Sequence, residues 1–244
     1  VGASLYIGTS GWSYPGWKDS FYRDIPQRQW LAHYAQHFNA VEINASFYRL
    51  QKPQTYQRWC EAVPGNFRFS LKANRYLTHN KKLLDPLPSI AVERERARAL
   101  GEKLSVVLWQ LPHSYSKNIQ RLGDFVAALH TWPEVRHVAE FRHASWFDQE
   151  VADCLSEGRV AVCQSDAADW PLWDAVTTNL VYVRLHGHTR TYASSYSHAS
   201  LRCWAERIRG WLQTGHSVCV FFDNDAEGAA PRNALTLRQF LEEL

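Results

Sequence analysis

A chain of 244 residues that is 45% hydrophobic and 21% charged can bury a sizeable core, which excludes the disordered and fibrous classes. Its formal net charge of +3 is too mild to mark a nucleic-acid binder by itself. No apolar run reaches the roughly 18 residues of a membrane span and no signal-peptide pattern opens the chain, so a cytoplasmic protein without a membrane partner is expected. The five cysteines (Cys60, Cys154, Cys163, Cys203, Cys219) are odd in number and form no C-x-x-C pair. They read as buried free thiols of a reducing compartment.

The apolar pattern alternates between two periods along the chain. Leu5 to Gly8 predicts a first strand, followed by a loop rich in Gly and Trp through Trp17. Trp30, Leu31, Tyr34, Ala35 and Phe38 then recur at helical spacing. Val41 to Asn44 predicts the second strand, and Tyr56, Trp59, Cys60 and Val63 a helix ended by Pro64-Gly65. Phe67 to Lys72 predicts the third strand. A polar segment follows, then a charged helix over Val92 to Leu100 with no clear apolar stripe. Ser105 to Gln110 predicts the fourth strand, and the helix after it has Asn118 as its N-cap. Val138 to Arg142 and Val160 to Gln164 predict strands five and six around a helix carrying Val151 and Leu155. Residues 166–178 show no helical period, so the sixth crossover is degenerate. Leu180 to Gly187 and Ser217 to Phe222 predict the last two strands, each followed by a helical stripe.

Eight strands with helical intervals of about 30 residues per unit predict an α/β fold, a (β/α)8 TIM-barrel-like single domain over residues 1–244. Near-continuous apolar strands fit a parallel sheet covered on both faces. A doubly wound open sheet is the alternative, but no G-x-G-x-x-G or Walker loop follows any strand.

In such barrels the site gathers at the C-terminal strand ends. Here those ends carry Ser10, Glu42, Asn44, Lys72, Gln110, Glu140, Arg142, Asp166, Arg184, His186, Asp223, Asn224 and Asp225. Strand side chains alternate faces, so Glu42 with Asn44, Glu140 with Arg142, and Arg184 with His186 each share one. A charge-balanced plug would set Glu42, Glu140 and Asp166 against Lys72, Arg142 and Arg184. The functional reading is an anion site, with His186 as proton shuttle and Glu42 or Glu140 as base. Trp12, Tyr14, Trp17, Phe47, Tyr48, Trp146, Trp170, Tyr192 and Tyr196 fall in loops after strands and would also suit stacking on a sugar or base. No His-x-x-x-His or Glu-x-x-His spacing favours a metal, and no cofactor is expected.

These residues resemble a known family. Gly8-Thr9-Ser10-Gly11-Trp12, Val41-Glu42-Ile43-Asn44 with Phe47-Tyr48, Lys72 with Thr78-His79, and Gln110-Leu111-Pro112 are similar to the motifs of the YecE-like domain of unknown function 72 family. So are Glu140-Phe141-Arg142-His143 with Ser145-Trp146, Arg184-Leu185-His186-Gly187 with Tyr192 and Tyr196, and Phe222-Asp223-Asn224-Asp225. The resemblance implies a TIM-barrel-like fold in a bacterial-type cytoplasmic protein, and no established reaction. The candidate site then has Glu42, Glu140 and His186 as catalytic groups. Its ligand-binding residues are Ser10, Trp12, Asn44, Tyr48, Lys72, His79, Gln110, Arg142, His143, Asp166, Arg184, Tyr192, Tyr196 and Asn224. The leading expectation is an enzyme of the hydrolase, lyase or isomerase classes, using acid–base chemistry on a small phosphate- or carboxylate-bearing substrate. A nucleotide or single-stranded nucleic-acid binding module and a metal-dependent hydrolase or isomerase are the alternatives.

Overall fold

Strands that are apolar on both faces need two different covers, one inside a closed sheet and one outside it. The computed structural model describes residues 2–243. It contains eight parallel strands: β1 (Leu5–Thr9), β2 (Ala40–Ile43), β3 (Arg68–Lys72), β4 (Leu104–Gln110), β5 (Arg136–Glu140), β6 (Val160–Asp166), β7 (Leu180–Leu185) and β8 (Ser217–Phe222). Between them lie α1 (Trp30–His37), the short α2 (Ala45–Tyr48), α3 (Pro53–Glu61), α4 (Pro86–Ala97), α5 (Ile119–Leu129), α6 (Gln149–Glu157), α7 (His198–Gln213) and α8 (Ala229–Glu242). Residues 167–179 cross from β6 to β7 without a helix, as the missing period predicted. Asn118 caps α5 as expected, accepting the Arg121 N–H at 3.0 Å.

The apolar residues separate into two sets by strand parity. Val106, Leu108, Val138, Ala161, Tyr182 and Phe221 fill the barrel, whereas Val107, Trp109, Ala139, Val162, Val183 and Val220 face the helices. Polar residues take over the inner parity at the C-terminal ends, and this is what builds the site.

The barrel closes at a seam between β1 and β2. Hydrogen bonding runs β1-β8-β7-β6-β5-β4-β3-β2, and the seam itself holds a single parallel bridge, Ser10 to Glu42. Side chains complete the rest. Asn39 accepts the Ile7 N–H at 3.0 Å and donates to Leu5 O at 2.8 Å. The Tyr34 hydroxyl accepts the Thr9 N–H at 2.8 Å and lies 3.2 Å from Ala40 O. Gly8 permits this approach, because a Cβ there would stand 2.0 Å from Ala40 O.

Three expectations need correction. The charged helix begins at Pro86 rather than Val92 and does have a buried stripe, Pro86, Ile90, Glu93 and Ala97. One member of that stripe is a carboxyl, which hid the period. Strands β2, β5 and β7 stop short of Asn44, Arg142 and His186, so these residues lie just past the strand ends. The cysteines are all free, but only Cys163 and Cys219 are buried; Cys203 is exposed on α7.

Tyr34→Phe keeps the ring but strips both strands of their shared partner. It is expected to cost about 1–3 kcal/mol in urea unfolding, and Gly8→Ala more than that. Unchanged midpoints for both would show that the seam does not depend on these groups.

Candidate active site at the barrel mouth

Arg184 is the centre of the interior polar layer and is fully buried. Its Nε and Nη2 donate to Glu42 Oε1 and Oε2 at 2.9 and 2.8 Å, a bidentate pairing. Nη1 donates to Glu140 Oε2 at 3.0 Å, and Nη2 also reaches Asp223 Oδ2 at 2.9 Å and Ser10 Oγ at 3.1 Å. Strands β2 and β5, the end of β8 and the bridge residue after β1 therefore converge on one guanidinium from β7. The third carboxylate is Asp223 and not Asp166, so the balance differs from the one expected from strand ends. Asp166 has the opposite parity to Ser165, whose hydroxyl reaches Glu140 at 3.1 Å. It turns outward to the Tyr196 hydroxyl at 2.8 Å.

The three groups expected to be catalytic all belong to this ring. Glu42 also accepts from Ser10 Oγ and from the Tyr182 hydroxyl at 2.8 Å. Burial alone would raise the Glu140 carboxyl, but Arg142 and Arg184 outweigh it and hold it well below the usual carboxylate range. Burial opposes ionisation of Asp223 in the same way, and Arg184 brings it down to about 2. His186 is fully buried. Its Nε2 lies 3.1 Å from Arg184 Nη1, and because arginine only donates, that nitrogen accepts and the ring proton falls on Nδ1. Nδ1 faces Asp223 Oδ2 at 3.0 Å, off the line of a good hydrogen bond.

A second tier covers the ring. Arg142 donates from Nε to Glu140 at 2.9 Å and from Nη1 to the Tyr192 hydroxyl at 3.1 Å, with its guanidinium 4.1 Å above the Trp170 ring. Trp170 and Tyr192 both set ring edges against His186, at 5.1 and 5.5 Å. Tyr192 holds a φ of 64°, a left-handed backbone that an aromatic residue rarely adopts.

Lys72 differs from the charges of the ring. It stands at the end of β3 on the inner parity and is 5% exposed. Among the described residues no carboxylate lies within ion-pairing distance of Nζ and no hydrogen bond reaches it. Nζ rests 4.1 Å over the Phe47 ring instead. Burial, Arg184 and Arg142 pull the ammonium down to about 8. His79 packs against the same Phe47 ring at 5.0 Å, and burial, Arg75 and Lys72 lower its imidazole to about 4. Asn44, beside the mouth, has a buried Oδ1 without a partner.

The remaining expected ligand residues scatter. Gln110 is buried and donates to Leu111 O. Trp12 packs on Trp59, and His143 caps the turn at Ala144–Trp146. Tyr196 and Asn224 anchor the loops outside the ring with Asn233. Tyr48 is 68% exposed. Trp17 and Trp146 are buried packing residues and do not form a rim. Tyr182 and Ser165 were missed, although each shares the inner parity of its strand. A cavity of about 1030 Å³ lies between α4 and the start of β4 and β5, at the end of the barrel away from this chemistry. Among the described residues no cluster of three or more His, Cys, Asp or Glu is arranged to hold a metal. The Arg184 guanidinium occupies the space that three carboxylates would otherwise offer to a cation.

Fold and site together define a TIM-barrel-like protein with an arginine-centred carboxylate ring at its C-terminal mouth. The chain belongs to the family described as "Protein of unknown function DUF72", which matches residues 6–244. It is 25% identical to the UPF0759 protein YunF of Bacillus subtilis over 98% of this chain and 95% of that protein. It is 28% identical to the UPF0759 protein YecE of Escherichia coli over 59% of this chain and 50% of that one. A crystal structure of a DUF72 family protein from Thermotoga maritima superposes with a TM-score of 0.87 at 25% identity, covering 98% of this chain and 99% of that one. One from Enterococcus faecalis gives 0.83 at 22%, over 98% and 95%. Among the described residues no helix is long and apolar enough to cross a membrane.

Arg184→Lys removes the fork that joins three carboxylates and is expected to cost roughly 3–5 kcal/mol in chemical unfolding. Lys72 has the opposite sign. Its folded value of about 8 lies below the unfolded 10.5, so its charge opposes folding below pH 8 and that penalty fades between pH 8 and 10.5. Lys72→Met is therefore expected to be more stable than the parent at pH 7, with the gap closing by pH 10. A less stable Lys72→Met at pH 7 would contradict the unpaired ammonium.

Proposed function

We propose that the mouth binds a small substrate bearing a phosphate or carboxylate and acts on it by acid–base chemistry. One observation carries this reading: Lys72 is a buried ammonium with no carboxylate partner among the described residues, set near the partly satisfied guanidinium of Arg142. A buried charge is rarely left unpaired, because desolvation is not repaid. An anion bridging Lys72 and Arg142 would supply the missing charge-assisted hydrogen bonds.

The roles shift accordingly. Glu42, Glu140 and His186 become positioning residues, since all three hydrogen-bond the Arg184 guanidinium, and Glu140 is held well below the usual carboxylate range by Arg142 and Arg184. Lys72 takes the proton-exchanging role, its value of about 8 lying within reach of neutral pH. Arg142 retains donors beyond those given to Glu140 and Tyr192, and its side chain is 12% exposed.

Inorganic phosphate is the first probe. It is expected to raise the melting temperature of the full chain, by an amount equivalent to about 2.7 kcal/mol at a hundred times Kd. Lys72→Ala and Arg142→Ala should abolish the rise. Screening against phosphorylated sugars and nucleotides should then find turnover that falls at least ~100-fold in Lys72→Ala, as expected for loss of a general acid or base. An equal phosphate effect in parent and variants would reject the site.

A second reading, single-stranded nucleic acid held without reaction, has support from Tyr48 and Tyr192, which stand 68% and 42% exposed. It requires an affinity that falls steeply with salt and drops on Tyr48→Ala. The phosphate-selective reading requires neither.

A further inference from the structure

We infer that Lys72 is a nucleophile that forms an imine with small aldehydes or ketones carrying an anionic group, the anion being held by Arg142. This deepens the anion-binding reading and rests on it.

Three features of the geometry converge on this amine, and its electrostatic surroundings agree with them. Lys72 sits on the inner parity at the rigid end of β3, beside Ser70 in the same inward row. Strand placement fixes its base, as precise nucleophile positioning requires. The Phe47 ring lies against Nζ at 4.1 Å and gives it an apolar floor. Arg184, the other buried cation among the described residues, is saturated by Glu42, Glu140 and Asp223, and Arg142 gives Nε to Glu140 and Nη1 to Tyr192 while keeping further donors. Among the described residues no hydrogen bond or ion pair commits the Lys72 nitrogen. Neighbouring Arg142 and Arg184 then disfavour the ammonium over the free amine, as does burial. Brought down to about 8, the amine is free to a far greater extent at neutral pH than that of an ordinary lysine. A desolvated lysine next to other cations is a recognised way to activate an amine for carbonyl chemistry.

The chemistry balances without a further reagent. The ammonium first releases one proton to solvent; the amine lone pair then forms the C–N bond, and an N–H proton passes to the carbonyl oxygen through solvent, giving a carbinolamine. Solvent returns the first proton to the hydroxyl, the C–O bond breaks, water leaves and the nitrogen lone pair completes the C=N bond. The resulting iminium draws electrons from the adjacent carbon, so a C–H or C–C bond at that carbon is weakened. The ring of Glu140, Asp223 and Arg184 lies beneath this point as fixed charge.

The test uses the full chain as purified. It is incubated with glyoxylate, glycolaldehyde phosphate or neutral glycolaldehyde in the presence of sodium cyanoborohydride, and labelled lysines are mapped by mass spectrometry. Lys72 should be labelled at least ten times faster than any other lysine by the two anionic probes, and no faster than the others by glycolaldehyde. Labelling should vanish in Lys72→Arg, and Arg142→Ala should remove the preference for anionic probes. Uniform labelling of surface lysines, or an unlabelled Lys72, overturns the imine. Phosphate-dependent melting separates the two readings. If phosphate still stabilises the parent but not Lys72→Ala while no label forms, the imine fails and the anion site stands. If phosphate has no effect either, both fail.

Discussion

The five N–H groups of Arg184 are the constraint on which the rest of the site depends. A buried guanidinium has to find acceptors for its donors, and a buried carboxylate has to find donors for its lone pairs. Glu42, Glu140, Asp223 and Ser10 meet both demands at once, and each comes from a different part of the sheet. The network therefore fixes the relative heights of the strand ends as well as their charge. It also explains why the interior changes from Val106, Leu108 and Val138 to polar residues over a single step along the strands. Once that step is made, every group in the layer has to be matched by another.

The seam obeys the same accounting. Where β1 and β2 share one bridge, the missing ladder hydrogen bonds are supplied by Asn39 and Tyr34. Gly8 makes room for that substitution. A barrel closed partly by side chains brings Ser10 and Glu42 to one spot, directly under Arg184. Closure and site assembly are thus one event. The saturated ring then throws Lys72 into relief, because it is the buried charge that this accounting leaves open.

Much of this was legible beforehand. The alternation in Arg184-Leu185-His186 puts Arg184 and His186 on one face, and the spacing of Glu42 and Glu140 within apolar strands marked them as inward groups. The order of elements, the helix-free sixth crossover and the Asn118 cap follow from period and cap chemistry. What could not be read was the partner of each charge. Asp166 and Asp223 look alike as strand-end acids, but one position of register separates inward from outward. The helix from Pro86 was obscured because Glu93 occupies a core position, where burial pushes its carboxyl up to about 8. Phe47 looked like a rim aromatic and is in fact the surface under Lys72.

By itself, then, the amino-acid sequence determined the strand count, the barrel and the set of ionisable groups delivered to its mouth. Those properties come from local periodicity and side-chain alternation, which neighbouring residues specify. Only the tertiary structure decided which of those groups neutralise one another and which is left over. Pairing depends on distances between strands far apart in the chain: Glu42 and Arg184 lie 142 residues apart and meet at 2.8 Å.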